Sequence, residues 1–310
     1  MLQYLVILLD DTSVSYCHAA NPLSSKNLMP IDVLQGAIFF GMKYNLMIQY
    51  VMPPYELPEK YCSLMETIDN VKIGKDVEVY YGIPSDVHSS TVVLSISIND
   101  MIENVHMIGR LLKQTKRLTI NYTDIQLFRD DKIDQYESAL RVLMEVVISE
   151  MSEGNKRELN LLTDRISLSK MSNCNAGVSN ITIAPNGKFY LCPAFYYDEM
   201  MKIDTGLNYM QPVYDRSIGD LRKGLDIKNA HLLHLKNCPL CQLCDSFQCN
   251  RCLWLNQKIT QEINTPSHEQ CVVSHIERNV SKELSAKMRD IGYEAQIIPD
   301  INYLDPFDNI

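Results

Sequence analysis

The sequence predicts an α/β fold, a partial (βα) barrel or open parallel sheet, followed by a small cysteine-rich metal-binding domain. Three observations carry this. Apolar, β-branched runs alternate with helix-period segments through about residue 165. Eight of the ten cysteines fall between Cys174 and Cys271. At 46% hydrophobic residues in 310, the chain can bury a full core, yet no apolar run reaches the length of a membrane span.

Taken in order, "YLVILL" reads as a first buried strand; the opening "MLQYLVILLDD" is too short for a signal peptide and carries no basic flank. "IDVLQGAIFFGMKYN" follows at helical spacing, with Pro30 and Asp32 near its start. "LMIQYV" is a second strand and "LPEKYCSLMETID" a second helix, in which Cys62 faces the core. "NVKIG" and "DVEVYYG" read as one interrupted strand. "TVVLSIS" is β-branched, and in "NDMIENVHMIGRLLKQT" either Asn99 or Asp100 is placed to cap a helix. "RLTINYT" is a strand, "IDQYESALRVLMEVVISEMSEG" a long helix ending at Gly154, and "ELNLLTDRI" a last strand.

Beyond residue 170 the pattern changes. "NITIAPNGKFYLCP" reads as a hairpin turning at Pro185-Asn186-Gly187. From there to about residue 280 the chain is turn-rich and poor in core material, a composition suited to stapling by metal. In "NTPSHEQCVVSHIER" a Ser267/Gln270 capping box starts a helix, with Cys271 in its first turn and His275 one turn on. The expected division is residues 1–169, 170–280 and a C-terminal tail, 281–310.

A net charge of −9 without a clustered basic face argues against nucleic acid as a partner, and the lack of a span argues against a membrane. The expected compartment is the cytoplasm, where thiols stay reduced. There, so many cysteines indicate metal more than disulfides. Cys238, Cys241, Cys244, Cys249 and Cys252 fall within fifteen positions, and a Cys-x2-Cys pair places two sulfurs on one turn. With Cys174, Cys192 and Cys271 they make eight thiols, enough for two four-ligand sites holding zinc or iron–sulfur clusters. His268 and His275 flank Cys271 as possible replacements for a thiolate, though a solvated helix start and a packed helix face explain them as well.

The spacing also carries a resemblance. Cys174 is followed by twelve residues, Gly187, four residues and Cys192; then come the pairs 241/244 and 249/252, and a lone Cys271. This resembles the SPASM domain of peptide-modifying radical SAM enzymes, Cys-x(9–15)-Gly-x4-Cys, Cys-x2-Cys-x5-Cys-x3-Cys and a terminal Cys. The second half is one residue short at two spacings, and Cys238 is extra. The resemblance implies two [4Fe–4S] clusters: Cys174, Cys192 and Cys252 holding one, with Cys238 as its unassigned fourth ligand, and Cys241, Cys244, Cys249 and Cys271 the other.

The radical SAM loop, Cys-x3-Cys-x2-Cys after the first strand, corresponds here to "LDDTSVSYCHAANP". Only Cys17 matches, as the third position; Asp10 and Val14 occupy the other two, and Val14 cannot bind iron. In place of the family's Gly-Gly-Glu turn stands "MPPYELPE". These departures argue against conventional reductive cleavage of S-adenosylmethionine. Cys17, beside His18, Asp10 and Asp11, is either a relic of the loop or a reactive thiol, the weak catalytic candidate. Over nearly its full length the chain is similar to the CXXX repeat peptide maturase group, through "LLDDTSVSYCH", "CDSFQCNRCLWLN" and "NTPSHEQCVVSHIERN". That likeness implies an iron–sulfur enzyme or subunit in maturation of a cysteine-containing ribosomal peptide. Its clusters would relay electrons or bind a substrate thiolate, with the chemistry here or in a partner enzyme. The alternative is a non-catalytic peptide- or partner-binding module folded by structural zinc.

Overall fold

Strand β1 (Tyr4–Leu8) is apolar along its length because neighbours cover both its faces: Leu5, Val6, Ile7 and Leu8 are all buried, the pattern of an inner parallel strand. In this computed structural model, which describes residues 2–167, 174–204, 216–244, 246, 249, 251–295 and 297, α1 (Ile31–Lys43), β2 (Met47–Val51), α2 (Glu59–Met65) and β3 (Asn70–Ile73) follow. Next come β4 (Glu78–Tyr81), β5 (Thr91–Ile96), α3 (Ile98–Glu103), α4 (Val105–Gln114), β6 (Arg117–Tyr122), α5 (Ile133–Ser152), β7 (Glu158–Leu159) and α6 (Thr163–Ser167). The remaining principal elements are β8 (Asn180–Ile183), β9 (Phe189–Tyr190), α7 (Pro193–Asp204), α8 (Leu253–Thr260) and α9 (His268–Asp290).

These elements gather into two units, one of Met1–Val77 with Asn175–His234, the other of Glu78–Cys174 with Leu235–Ile310. The first holds a five-stranded sheet in the order β3-β2-β1-β8-β9. Its first four strands are parallel, with Tyr4 opposite Met47 on one side and Asn180 on the other; β9 closes antiparallel to β8. Helix α1 lays Leu34, Ala37, Ile38 and Gly41 into the core, at the i, i+3, i+4, i+7 spacing of one helix face.

The second unit holds the wholly parallel sheet β4-β5-β6-β7. Helix α5 buries Tyr136, Ala139, Leu140, Leu143, Met144 and Val147 along one stripe and packs on α4 and α9. Helix α9 is pinned by Ser281, whose Oγ donates to the Leu162 carbonyl at 3.2 Å. It is pinned again by Glu277, which takes a hydrogen bond from Tyr136 Oη at 2.6 Å and an ion pair from Arg165.

The parallel, helix-interleaved architecture is the α/β class expected. Several elements differ in detail. "NVKIG" and "DVEVYYG" form two strands in different sheets, because Gly74 turns the chain at φ +100 and its N–H donates to Val77 at 2.7 Å. The helix cap after β5 is Ser97, with Asp100 as the reciprocal member of a capping box, and the segment breaks into α3 and α4 at Asn104. Only Glu158–Leu159 of "ELNLLTDRI" pairs as a strand; Thr163–Ser167 is helical. The region read as turn-rich includes α7, and α9 runs past residue 280. Most of the expected tail beyond Tyr293 lies outside the described residues. Among the described residues, no helix is long and apolar enough to cross a membrane.

Candidate metal centre

In the first unit, the loop leaving β1 is folded around its own polar side chains. The carboxylate of Asp10, fully buried, accepts from the N–H and hydroxyl of Thr12 on one oxygen; the other takes the Asn27 N–H at 2.9 Å and Tyr55 Oη at 2.8 Å. Asp11 accepts from Tyr196 Oη and from Asn27 Nδ2, the latter at 3.0 Å. Asn21 Nδ2 donates to the carbonyls of Asp11 and Ser13 at 2.7 and 2.8 Å. Val14 packs over Gly74, where an added Cβ would stand 3.2 Å from Val14 Cγ2. Cys17 Sγ lies 3.7 Å from Ser15 Oγ and 3.8 Å from the Ala19 carbonyl. Burial raises its pKa, outweighing the hydrogen bonds from Ser15 and the backbone, so the residue is held as a thiol and away from the thiolate that nucleophilic chemistry requires.

The thiol-rich segment of the second unit is built from short turns. Cys241 N–H donates to the Cys238 carbonyl at 3.1 Å, and Cys244 N–H to the Cys241 carbonyl at 3.2 Å. The intervals from Cys238 to Cys241 and from Cys241 to Cys244 are thus each closed by an i+3 to i hydrogen bond, the geometry that turns successive sulfurs to one side. Cys249 N–H bonds to Ser246 at 2.9 Å, and Cys252 is the N-cap residue of α8. Cys238, Cys241, Cys249 and Cys252 are buried, while Cys244 and Cys271 are half-buried.

These sulfurs perturb one another. The hydrogen bond with Cys238 raises the Cys241 pKa, and burial and the neighbouring Cys238, Cys249 and Cys271 raise it further. Burial raises that of Cys271, reinforced by Cys249, Cys244 and Cys238. Cys238 is lowered by the hydrogen bond from Cys241, and the Arg251 charge adds to this against the cost of burial. The opposing contact on Cys238 is the Asn264 carbonyl at 2.7 Å, to which only the protonated thiol can donate. Crowded, buried thiols that resist ionising together are the groups a bound cation would deprotonate together.

N–H groups already face two of the sulfurs. Ser246 N–H donates to Cys244 Sγ and Arg251 N–H to Cys249 Sγ, each at 3.4 Å, and Gln270 Nε2 lies 3.9 Å from Cys249 Sγ. Such donors suit metal-bound thiolates, so the donor set fits a soft metal or an iron–sulfur cluster. Among the described residues, no three ligand-type side chains converge on one point.

The other expected residues are distributed as follows. Cys174 is exposed in the second unit, and Cys192 is half-buried in the first, immediately before α7. His268 lines a surface cleft of about 410 Å³ with Phe128, Asp130 and Val272. His275 is buried with Nε2 3.4 Å from Cys244 Sγ, a contact that the reading of a packed helix face overlooked. The available signal was the i, i+4 spacing from Cys271, which puts both side chains on one face of α9. Ser246 and Arg251 had no sequence signal, because their relation to the sulfurs arises from loop folding, and Gln270 was marked only as part of a helix cap.

No family model matches the chain, and no curated protein matches it. Solved structures do. A His-tagged anSMEcpe with bound AdoMet is 13% identical, with 94% of this chain and 99% of that one covered at a TM-score of 0.54. Native anSMEcpe with bound AdoMet and a Cp18Cys peptide is likewise 13% identical, with 93% and 99% covered at 0.56. The same protein with a Kp18Cys peptide gives 12% identity, 93% and 99% covered, and 0.51. The fold is radical-SAM-like. The likeness extends to architecture alone, since fewer than one residue in five is shared.

Proposed function

We propose that the chain is an iron–sulfur protein acting in maturation of a cysteine-containing ribosomal peptide, in the manner of the CXXX repeat peptide maturase group. The observation that carries this reading is the buried group of mutually perturbing thiols with N–H donors on Cys244 and Cys249. Cys241, Cys244, Cys249 and Cys271 are the ligands of one cluster. The SPASM pattern assigns Cys174, Cys192 and Cys252, with Cys238, to another. When bound, clusters supply one-electron transfer or an iron to which a thiolate can attach; the chain's residues orient the sulfurs. The peptide-bound structures of similar fold support a peptide substrate.

Conventional cleavage of S-adenosylmethionine is not part of the proposal, although the similar structures bind that molecule. Here both oxygens of Asp10 are already engaged, and Val14 is packed against Gly74.

The second reading is a peptide-binding module folded by zinc. It is favoured by His275 beside Cys244, since sulfur with imidazole is a common zinc donor set. Anaerobic purification followed by iron, sulfide and zinc analysis separates the two. The expected result is roughly eight irons with equal sulfide per chain for two cubane clusters. Zinc without sulfide sinks the cluster reading and leaves the binding module.

A further inference from the structure

The first turns of α9 meet the thiol loop through specific contacts. Ser246 Oγ donates to the Ser274 carbonyl at 3.2 Å, docking the loop on the helix one residue from His275. Ser246 N–H turns back to Cys244 Sγ. The rotation of α9 is set farther along by the buried Glu277, held by Tyr136 and Arg165. Between these two anchors the buried His275 brings its Nε2 to 3.4 Å from the Cys244 sulfur. Cys244 thus faces a backbone N–H and an imidazole nitrogen, while Cys249 faces a backbone N–H and the side-chain amide of Gln270.

We propose that His275 is a positioning residue of the metal centre, its Nε2–H donating to the Cys244 sulfur without itself binding metal. This inference rests on the iron–sulfur reading above. A hydrogen bond to a ligating thiolate holds its orientation and draws off part of its negative charge, which favours the reduced state of a cluster. Of the four sulfurs assigned to this centre, Cys244 is the one that carries the imidazole.

The test uses the full chain purified without oxygen. Wild type is first assayed for iron and sulfide; their absence defeats the iron–sulfur reading before any variant is made. With clusters present, His275→Phe keeps wild-type iron and sulfide but is reduced at a more negative potential, followed by electron paramagnetic resonance. His275→Gln, which retains a donor, falls between the two. An unchanged potential in His275→Phe overturns the proposal, as does loss of the metal, which would make His275 a ligand. Should His275→Phe fail to fold, wild type labelled with 15N-histidine decides. A weak nitrogen coupling in the reduced spectrum supports a hydrogen-bonded imidazole, whereas no coupling, or the strong coupling of a bound nitrogen, overturns it. If the metal proves to be zinc, cobalt(II) is substituted. A shifted thiolate charge-transfer band in His275→Phe with full cobalt content carries the same role, and an unshifted band ends it.

Discussion

Glu277 sits fully inside the second unit between Tyr136 and Arg165, and Tyr136 Oη lies 2.9 Å from Tyr122 Oη. Burial raises the Glu277 carboxyl above its ordinary value near 4.5, with the Arg165 charge and the two hydrogen bonds pulling the other way. A carboxyl with a raised pKa keeps its proton longer in the folded chain than in the unfolded one. Its contribution to stability is therefore complete below the ordinary value and is lost as pH rises through the raised one. Denaturant midpoints followed from about pH 4 to 8 should fall over that window. Glu277→Gln has no proton to lose, so its slope should be flatter. Its stability should also be lower by about 3–5 kcal/mol, because buried Arg165 is left without its anion. An unchanged slope would mean another group titrates. Nothing in the sequence marked Glu277: a glutamate within "VSHIERN" looks like any solvated helix residue until the fold encloses it.

Among the elements, α3 begins where Ser97 accepts from the Asp100 N–H at 2.9 Å and Asp100 accepts in turn from the Ser97 N–H at 3.2 Å. Ser97→Ala should cost about 1 kcal/mol, read as a lowered denaturant midpoint with unchanged slope. In the first unit, Gly177 has φ +74, and a Cβ there would stand 2.4 Å from Leu191 Cδ2 and 2.7 Å from Leu233 Cδ1. Gly177→Ala should destabilise by more than about 1 kcal/mol through both backbone strain and overpacking, a loss measurable as a drop in Tm. Leu191 precedes Cys192, so the same variant should perturb the segment that carries this thiol. The hairpin of β8 and β9 and the start of α9 at Ser267 were legible, since turn and cap chemistry act over three or four residues. The split of "NVKIG" from "DVEVYYG" was not, because Gly74 is equally compatible with a bulge in one strand and a turn between two.

For the molecule as a whole, metal held by these sulfurs as proposed would couple the order of the thiol segment to metal binding. Removing metal with a chelator under reducing conditions should raise amide exchange across residues 238–252 and the start of α9, while β5 and β6 stay protected. Equal protection with and without metal would mean that packing alone orders the segment. Both units are built on parallel strands, and parallel strands need crossover helices. That requirement is why the βα alternation was enough to indicate the fold class.

By itself the sequence determined the α/β class and most strand and helix positions, and it supplied the cysteines proposed as metal ligands. Each of these follows from composition and from contacts a few residues apart. Tertiary structure alone decided that β1 lies between β2 and β8, that Asp10 and Val14 are committed to protein contacts, and that His275 meets Cys244. Those outcomes join residues tens of positions apart, 31 in the case of Cys244 and His275. Their pairing is set by which surfaces the packed helices and sheets bring together, and local pattern carries no record of it.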